Sequence, residues 1–292
     1  MKITELFDRG QFAVTAEVGP PKGTSMDEVI EEAKTYLTGI DAVNVTDCQS
    51  SVMRMGSLPA CIALKQAGFN PIFQMTCRDR NRIGLQSDIL GAACFGIDNI
   101  LALTGDHTRN GDHPQAKPVF DLDSVSLLHT ITRLEAGEDL AGNKLLGEAP
   151  SFAKGAVVSP CSDSVDAQLM KMERKIAAGA EFFQTQAVFN SEKFIRFMEK
   201  ASQFGKPIQL GIIIPKGAGM AKFMNANIAG IDIPADIIAE LAADKEKAKA
   251  GITGVEIAAR IIKECKPYCQ GVHIMAMGWE SKIPALLEQA GM

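Results

Sequence analysis

Eight times along the chain, a short apolar run ends in polar residues or glycine and gives way to a stretch with helical spacing. The run Ile100–Leu103 is apolar throughout and closes on Thr104-Gly105-Asp106. A polar loop follows, then a helical stretch opening at Asp123 with Val125, Leu127 and Leu128. A run that does not alternate marks a strand covered on both faces, as in a parallel sheet. Parallel neighbours need a long crossover, which the intervening helices supply. This alternation predicts an α/β protein, a (β/α)8 TIM barrel taking residues 1–292 as one unit. A doubly wound open sheet is the alternative, weakened by the lack of GxGxxG after the first strand.

Within that frame, Ser25 and Glu28 read as a capping box for a helix through Val29, Ala33 and Leu37. A long helical region runs from Pro234 to about Cys265, broken near Gly251. Residues 135–150 are polar and glycine-rich. The strand–helix beat resumes after them, so they read as an insertion rather than a domain boundary.

With 30 Lys+Arg against 35 Asp+Glu, the chain offers no basic face for nucleic acid or an anionic membrane. No apolar run reaches the roughly 18 residues of a membrane span. The first residues, MKITELFDRGQF, lack the apolar core of a signal peptide, so a cytoplasmic location is expected. Seven scattered cysteines argue against a disulfide framework and read as reduced structural thiols. Cys265 and Cys269, in CxxxC spacing, leave a partner-facing redox or metal role open, but no four-thiolate cluster motif is complete.

Residues at the carboxyl ends of barrel strands converge on one mouth, where this fold keeps its chemistry. Here they are Glu17, Thr46, Asp47, Gln74, Asp106, Ser159 and Gln186. Glu17 is an ordinary solvated Glu if it faces out. If it faces in, desolvation suits it to general-acid work. Asp106 is either a solvated turn residue or ligand-facing, with Gly105 letting the backbone approach closely. Gln184 and Gln186 share one strand face, costly to bury unless bonded or facing a ligand. The cluster Arg78-Asp79-Arg80-Asn81-Arg82 reads as a solvated charge run before it reads as a phosphate site. His107 and His113 flank Asp112 on a loop ill-suited to hold a metal, and no metal site is expected. His273, inside an apolar strand, reads as a satisfied core residue. No Ser-His-Asp set, HExxH or P-loop is present. Residue types alone imply an enzyme acting on a small molecule in a barrel mouth.

Six stretches carry more. AEVGPP (16–21), LALTGDH (101–107), KPVFDLDSV (117–125), ERKIAAGAEFFQTQAVF (173–189), KGAGMAKFMNANIAGI (216–231) and GVHIMAMG (271–278) together resemble the methylenetetrahydrofolate reductases. The resemblance runs in order over nearly the whole chain and is strongest to short bacterial members without a regulatory domain. It implies a flavin, FAD before FMN, and a tetrahydrofolate substrate, both bound at the mouth. The implied reaction reduces 5,10-methylenetetrahydrofolate to 5-methyltetrahydrofolate, in the one-carbon metabolism that serves methionine biosynthesis. By motif, Glu17 matches the catalytic acid. Asp106 matches the acidic residue that binds the pterin and tunes flavin and cation electrostatics. Gln186 matches a residue touching folate and, where used, the nicotinamide donor. Thr46, Gln74, Gly105, Asp106, Ser159, Gln168 and Lys175 fall at flavin-binding positions, with Lys175 offering charge to flavin phosphate or ribityl oxygens.

This chain also departs from the best-known members. Gln74 stands where they have His, Thr104 where they have Arg, and Asp47 where they have Tyr. Met220 falls about where they have a folate-contacting Gln. These departures resemble members from anaerobes that draw electrons from an iron–sulfur partner subunit, with NAD(P)H the other donor the family implies. An oligomer is expected. The alternative function is a non-reductase, methyltransferase-like barrel that binds folate or a methyl carrier, since a fold alone does not decide activity.

Overall fold

A computed structural model describes residues 1–292. Its eight strands are β1 (Ala13–Val18), β2 (Ala42–Val45), β3 (Pro71–Thr76), β4 (Asn99–Leu103), β5 (Ala153–Val158), β6 (Phe182–Ala187), β7 (Ile208–Ile213) and β8 (Gly271–Met275). They pair in sequence order, and β8 returns in parallel to β1 with Thr15 opposite His273, closing a (β/α)8 barrel. The helices are α1 (Thr4–Asp8), α2 (Asp27–Tyr36), α3 (Ser57–Gln66), α4 (Arg82–Cys94), α5 (Ser124–Glu135) and α6 (Val165–Ala177). After them come α7 (Ser191–Ala201), α8 (Ala218–Asn227), α9 (Ala235–Ala243), α10 (Lys245–Lys249), α11 (Ile252–Cys265) and α12 (Ile283–Ala290). No helix is long and apolar enough to cross a membrane.

The period-2 geometry of a strand sorts the side chains. In β1, Val14, Ala16 and Val18 pack in the large core under the helices, while Ala13, Thr15 and Glu17 face the barrel axis. The large core holds 66 buried residues; a separate cluster of 8, including Ala13, Ala42, Leu101 and Phe182, fills the lower barrel. Fully burying a Leu, Ile or Phe side chain contributes roughly 1.5–3 kcal/mol. The sheet–helix interface therefore carries most of the stability and leaves the upper barrel free for polar residues.

The floor of the barrel is closed by α1, which the periodicity does not predict because five residues give too few turns to read. Ile3, Leu6 and Phe7 pack on Phe182, with the two rings 6.1 Å apart. Asn99 ties the segment down: its Oδ1 accepts from the Ile3 amide at 2.7 Å and its Nδ2 donates to the Met1 carbonyl at 3.1 Å.

Two local expectations change. Ser25 and Glu28 form no capping box. The N-cap of α2 is Met26, without a side-chain bond, and Ser25 Oγ accepts only from the Asp27 amide at 3.1 Å. The region 234–265 breaks twice rather than once. Gly251 interrupts it with φ 81°, and Asp244 also stops α9, its carboxylate accepting from the amides of Glu246 and Lys247 to start α10. Residues 135–150 leave the barrel as a short excursion with an antiparallel bridge from Glu138 to Lys144 and the Leu140 amide bonded to Gln86 Oε1 at 2.8 Å. Asp123 caps α5 as its position suggests, accepting from the Ser126 amide at 2.8 Å.

Candidate active site at the mouth of the barrel

A cavity of about 350 Å³ opens at the carboxyl ends of the strands, within the roughly 300–1,000 Å³ range of small-molecule sites. Glu17, Thr46, Gln74, Gly105, Asp106 and Gln186 all line it. They come from five different strands or strand ends, and only barrel closure brings them together.

Glu17 faces inward, 13% exposed. Its Oε2 accepts from Gln49 Nε2 at 3.1 Å and its Oε1 from Gln74 Nε2 at 3.4 Å, while His273 Nε2 lies 3.5 Å from Oε1. Gln49 was not foreseen. It sits between Cys48 (φ 44°) and Ser50 (φ 54°), in a left-handed stretch that ordinary residues rarely adopt and that clusters at functional sites. No sequence signal marks such a conformation when glycine is absent.

Asp106 is exposed at the rim and follows Gly105, whose φ is 91°. A Cβ at Gly105 would stand 3.0 Å from Thr76 Cβ and 3.2 Å from Arg78 Cβ, so only glycine fits this crossing of the β3 and β4 ends. Gln186 lies where the β6–β7 register shifts. A bulge re-aims a side chain, and here Gln186 Oε1 accepts from its neighbour's amide, Ala187, at 3.0 Å. Gln184, one pair down, is fully enclosed and bonded to Asn44 and Gln209. Thr46 Oγ1 is buried in the cavity wall without a partner.

Ser159, Gln168 and Lys175 stand outside this cavity, together at its β5 edge. Gln168 Oε1 accepts from the Ser159 amide at 3.3 Å, and Lys175 Nζ donates to the Val157 carbonyl at 2.6 Å, behind a residue that does line the cavity. Burial pushes the Lys175 ammonium down to about 8; Lys171 adds to the effect and Asp123 opposes it.

The basic cluster after β3 is not a solvated run. The Arg78 side chain is 2% exposed, bonded to Asp79 at 2.7 Å and to the Cys48 carbonyl at 3.2 Å, and it lines the cavity. Arg80 binds Asp88 at 2.8 Å and also Asp47. Asp47 in turn accepts from the Thr76 amide at 2.8 Å and its hydroxyl at 2.9 Å. Burial works against the Arg80 charge, but Asp47 and Asp88 outweigh it and raise its pKa. Of the three arginines only Arg82 remains at the surface, paired with Asp121.

The loops around the mouth are strapped together by Asp112, which accepts from Lys22 at 2.5 Å and from the Met53 amide at 3.0 Å, with His113 Nδ1 at 2.8 Å. Those contacts, Lys22 first, hold its carboxyl well below the usual range. Away from the mouth, burial pushes the thiols of Cys265 and Cys269 up to about 12 and 11, which suppresses thiolate chemistry.

A model of the methylenetetrahydrofolate reductase family matches residues 2–291. The chain is 26% identical over 312 aligned residues to a Caenorhabditis elegans protein named probable methylenetetrahydrofolate reductase (NADPH), covering 100% of this chain and 44% of that one. It thus spans less than half the length of that relative. It is 25% identical to the 5,10-methylenetetrahydrofolate reductase of Escherichia coli K12, covering 78% of this chain and 72% of that one. In fold it is similar to an uncharacterized Clostridium thermocellum protein that binds two copies of 5-methyl-5,6,7,8-tetrahydrofolic acid. The TM-score is 0.65 at 17% identity, covering 99% of this chain and 98% of that one.

Proposed function

The chain belongs to the methylenetetrahydrofolate reductase family, and from that premise we propose that it reduces 5,10-methylenetetrahydrofolate to 5-methyltetrahydrofolate at the barrel mouth, with Glu17 as general acid. The observation that carries this reading is the convergence of Glu17, Asp106 and Gln186 on one cavity.

The wall fits a planar polar ring system such as a flavin. Thr46 Oγ1 is a buried hydroxyl in want of a partner, and Gly105 leaves the β4 end bare of a side chain. Thr46, Gln74 and Gly105 would hold the ring, with Lys175 and its neighbours Gln168 and Ser159 toward the phosphate end, in FAD or FMN. A bound flavin would supply the hydride.

The chain's own residues manage charge. Glu17, held by Gln49 and Gln74, donates its proton to the folate nitrogen whose departure opens the five-membered ring. That opening leaves a cationic iminium on the substrate. Asp106, an exposed carboxylate at the rim, favours the developing positive charge, and Gln186 orients the pterin.

For the electron source we propose a partner protein carrying an iron–sulfur centre rather than NAD(P)H. Asp47 is engaged by Thr76 and Arg80 and is not free to meet a nicotinamide. Mixing the flavin-loaded protein anaerobically with NADH or NADPH tests this. Flavin bleaching at turnover rates, on the order of 1–10³ s⁻¹, would reject it. The reaction itself is tested by loading the protein with FAD or FMN, reducing it with dithionite and adding methylenetetrahydrofolate. Appearance of 5-methyltetrahydrofolate supports the reading. A yellow protein that binds folate but makes no methyl product would favour the methyltransferase-like alternative.

A further inference from the structure

Beneath Glu17 lies a layer of buried polar side chains that the proposed chemistry does not use: Thr15, Asn44, Gln184, Gln209 and His273. We infer that this layer fixes His273 as the Nε2–H tautomer and so makes it a positioning residue for Glu17. The inference rests on the reading of Glu17 as general acid.

The direction of the hydrogen bonds follows from two backbone groups. Gln209 Nε2 lies 3.4 Å from the carbonyls of both Ala13 and Val272. Carbonyls only accept, so the amide nitrogen of Gln209 must face them and its Oε1 must point away. Gln209 Oε1 then accepts from Gln184 Nε2 at 3.0 Å, which turns Gln184 Oε1 toward Asn44 Nδ2 at 2.8 Å. Both amide nitrogens, Gln184 Nε2 and Gln209 Nε2, also lie 3.4 Å from Thr15 Oγ1. An amide nitrogen accepts no hydrogen bond, so the single hydrogen of the Thr15 hydroxyl points elsewhere.

That hydrogen has two acceptors within reach: His273 Nδ1 at 3.0 Å and the Val272 carbonyl at 3.4 Å. A hydrogen on Nδ1 of the ring would leave a bare Nε2 lone pair facing the Glu17 carboxylate, whose ionised oxygens only accept, so the Thr15 hydrogen goes to Nδ1. A ring nitrogen that accepts carries no hydrogen, so the imidazole proton sits on Nε2, 3.5 Å from Glu17 Oε1. Catalytic contacts of this length tighten when substrate binds.

Two consequences follow for Glu17. An Nε2–H group donates only, so it takes no proton from Glu17, whose acidic proton therefore leaves toward the cavity. When the carboxylate forms, Nε2–H donates to it and holds the charge where the proton left. His273 acts on the reaction through Glu17.

The experiment pairs His273→Asn with His273→Gln. Asn keeps a polar group near the Thr15 side and loses the Nε2 donor; Gln extends an amide to about the Nε2 position. Losing one donor to a developing charge lowers turnover about 10²-fold. His273→Asn is expected to lose that much kcat with KM for methylenetetrahydrofolate and flavin content unchanged, and His273→Gln to regain most of it. Equal defects in both variants, or a defect confined to KM or flavin content, would overturn the inference. The tautomer is read without turnover by nitrogen-15 NMR of histidine-labelled wild-type protein, the His273 signals being those missing in His273→Asn. A protonated Nε2 and bare Nδ1 is the expected result; a protonated Nδ1 overturns the assignment even in a protein with no reductase activity. A wild-type protein inactive on methylenetetrahydrofolate but with the expected tautomer fails the functional reading instead.

Discussion

Replacing Asp47 with Ala removes the acceptor on which the ends of β2 and β3 meet. Asp47 is 5% exposed, and it holds the Thr76 amide, the Thr76 hydroxyl and Arg80. Removing one partner of a buried ion pair destabilises by about 3–5 kcal/mol, because the other charge is stranded. Arg80 is 21% exposed and keeps Asp88 at 2.8 Å, so the lower end applies, about 3 kcal/mol. Asp47→Asn keeps an acceptor for Thr76 and loses only the charge, for about 1–2 kcal/mol. At about 2–4 °C per kcal/mol in chains somewhat shorter than this one, the Ala variant melts roughly 6–12 °C lower and the Asn variant lies between. Thermal unfolding of the three proteins side by side, followed by circular dichroism, gives the ranking. The Ala variant should also bind flavin less tightly, since Cys48 and Gln49 follow directly on Asp47 and line the same cavity. An Ala variant that melts with the wild type, or an Asn variant as weak as Ala, would show that this pair does not fasten the mouth.

Other perturbations have equally definite signs. Lys175 is the one cation near the β5 edge whose pKa is pushed down, to about 8 from 10.5. Below pH 8 it is charged in the folded protein and attracts a flavin phosphate. Flavin affinity should therefore fall as pH rises through 8, and titration of Lys175→Met should lose that dependence. The linked effect on folding runs the other way: between pH 8 and 10.5 the unfolded chain binds the Lys175 proton more readily, so this residue's destabilisation fades as pH rises through that window. Leu6→Ala opens the floor beneath Phe182 and should destabilise by about 2–5 kcal/mol in denaturant titration while leaving flavin affinity unchanged.

The barrel was legible because both of its signals are periodic. Apolar runs recur with helices between them, so Glu17, Gln74 and Gln186 could be placed near one mouth from strand-end position, although the inward facing of Glu17 could not. What stayed hidden depends on partners distant in sequence. Arg78 and Arg80 look solvated in a run of charges, and only the fold brings Asp47, Asp88 and the Cys48 carbonyl to them. His273 was rightly read as bonded inside the core. Its proximity to Glu17, across the closing β8–β1 seam, is a property of closure that no local pattern encodes. The floor helix α1 was missed for the simpler reason of length, and Gln49 because a left-handed turn without glycine leaves no mark in the residues.

The account's central claim is that Glu17 supplies the proton that opens the folate ring. Its most direct test is a single turnover of Glu17→Gln, loaded with flavin, reduced anaerobically and mixed with methylenetetrahydrofolate. Gln keeps the size of the side chain and much of its hydrogen bonding but has no acidic proton. General-acid catalysis contributes about 10²–10⁴-fold, so oxidation of the reduced flavin by substrate should slow by that factor, with flavin content and folate affinity retained. Reoxidation at the wild-type rate would contradict the claim and remove Glu17 from the reaction.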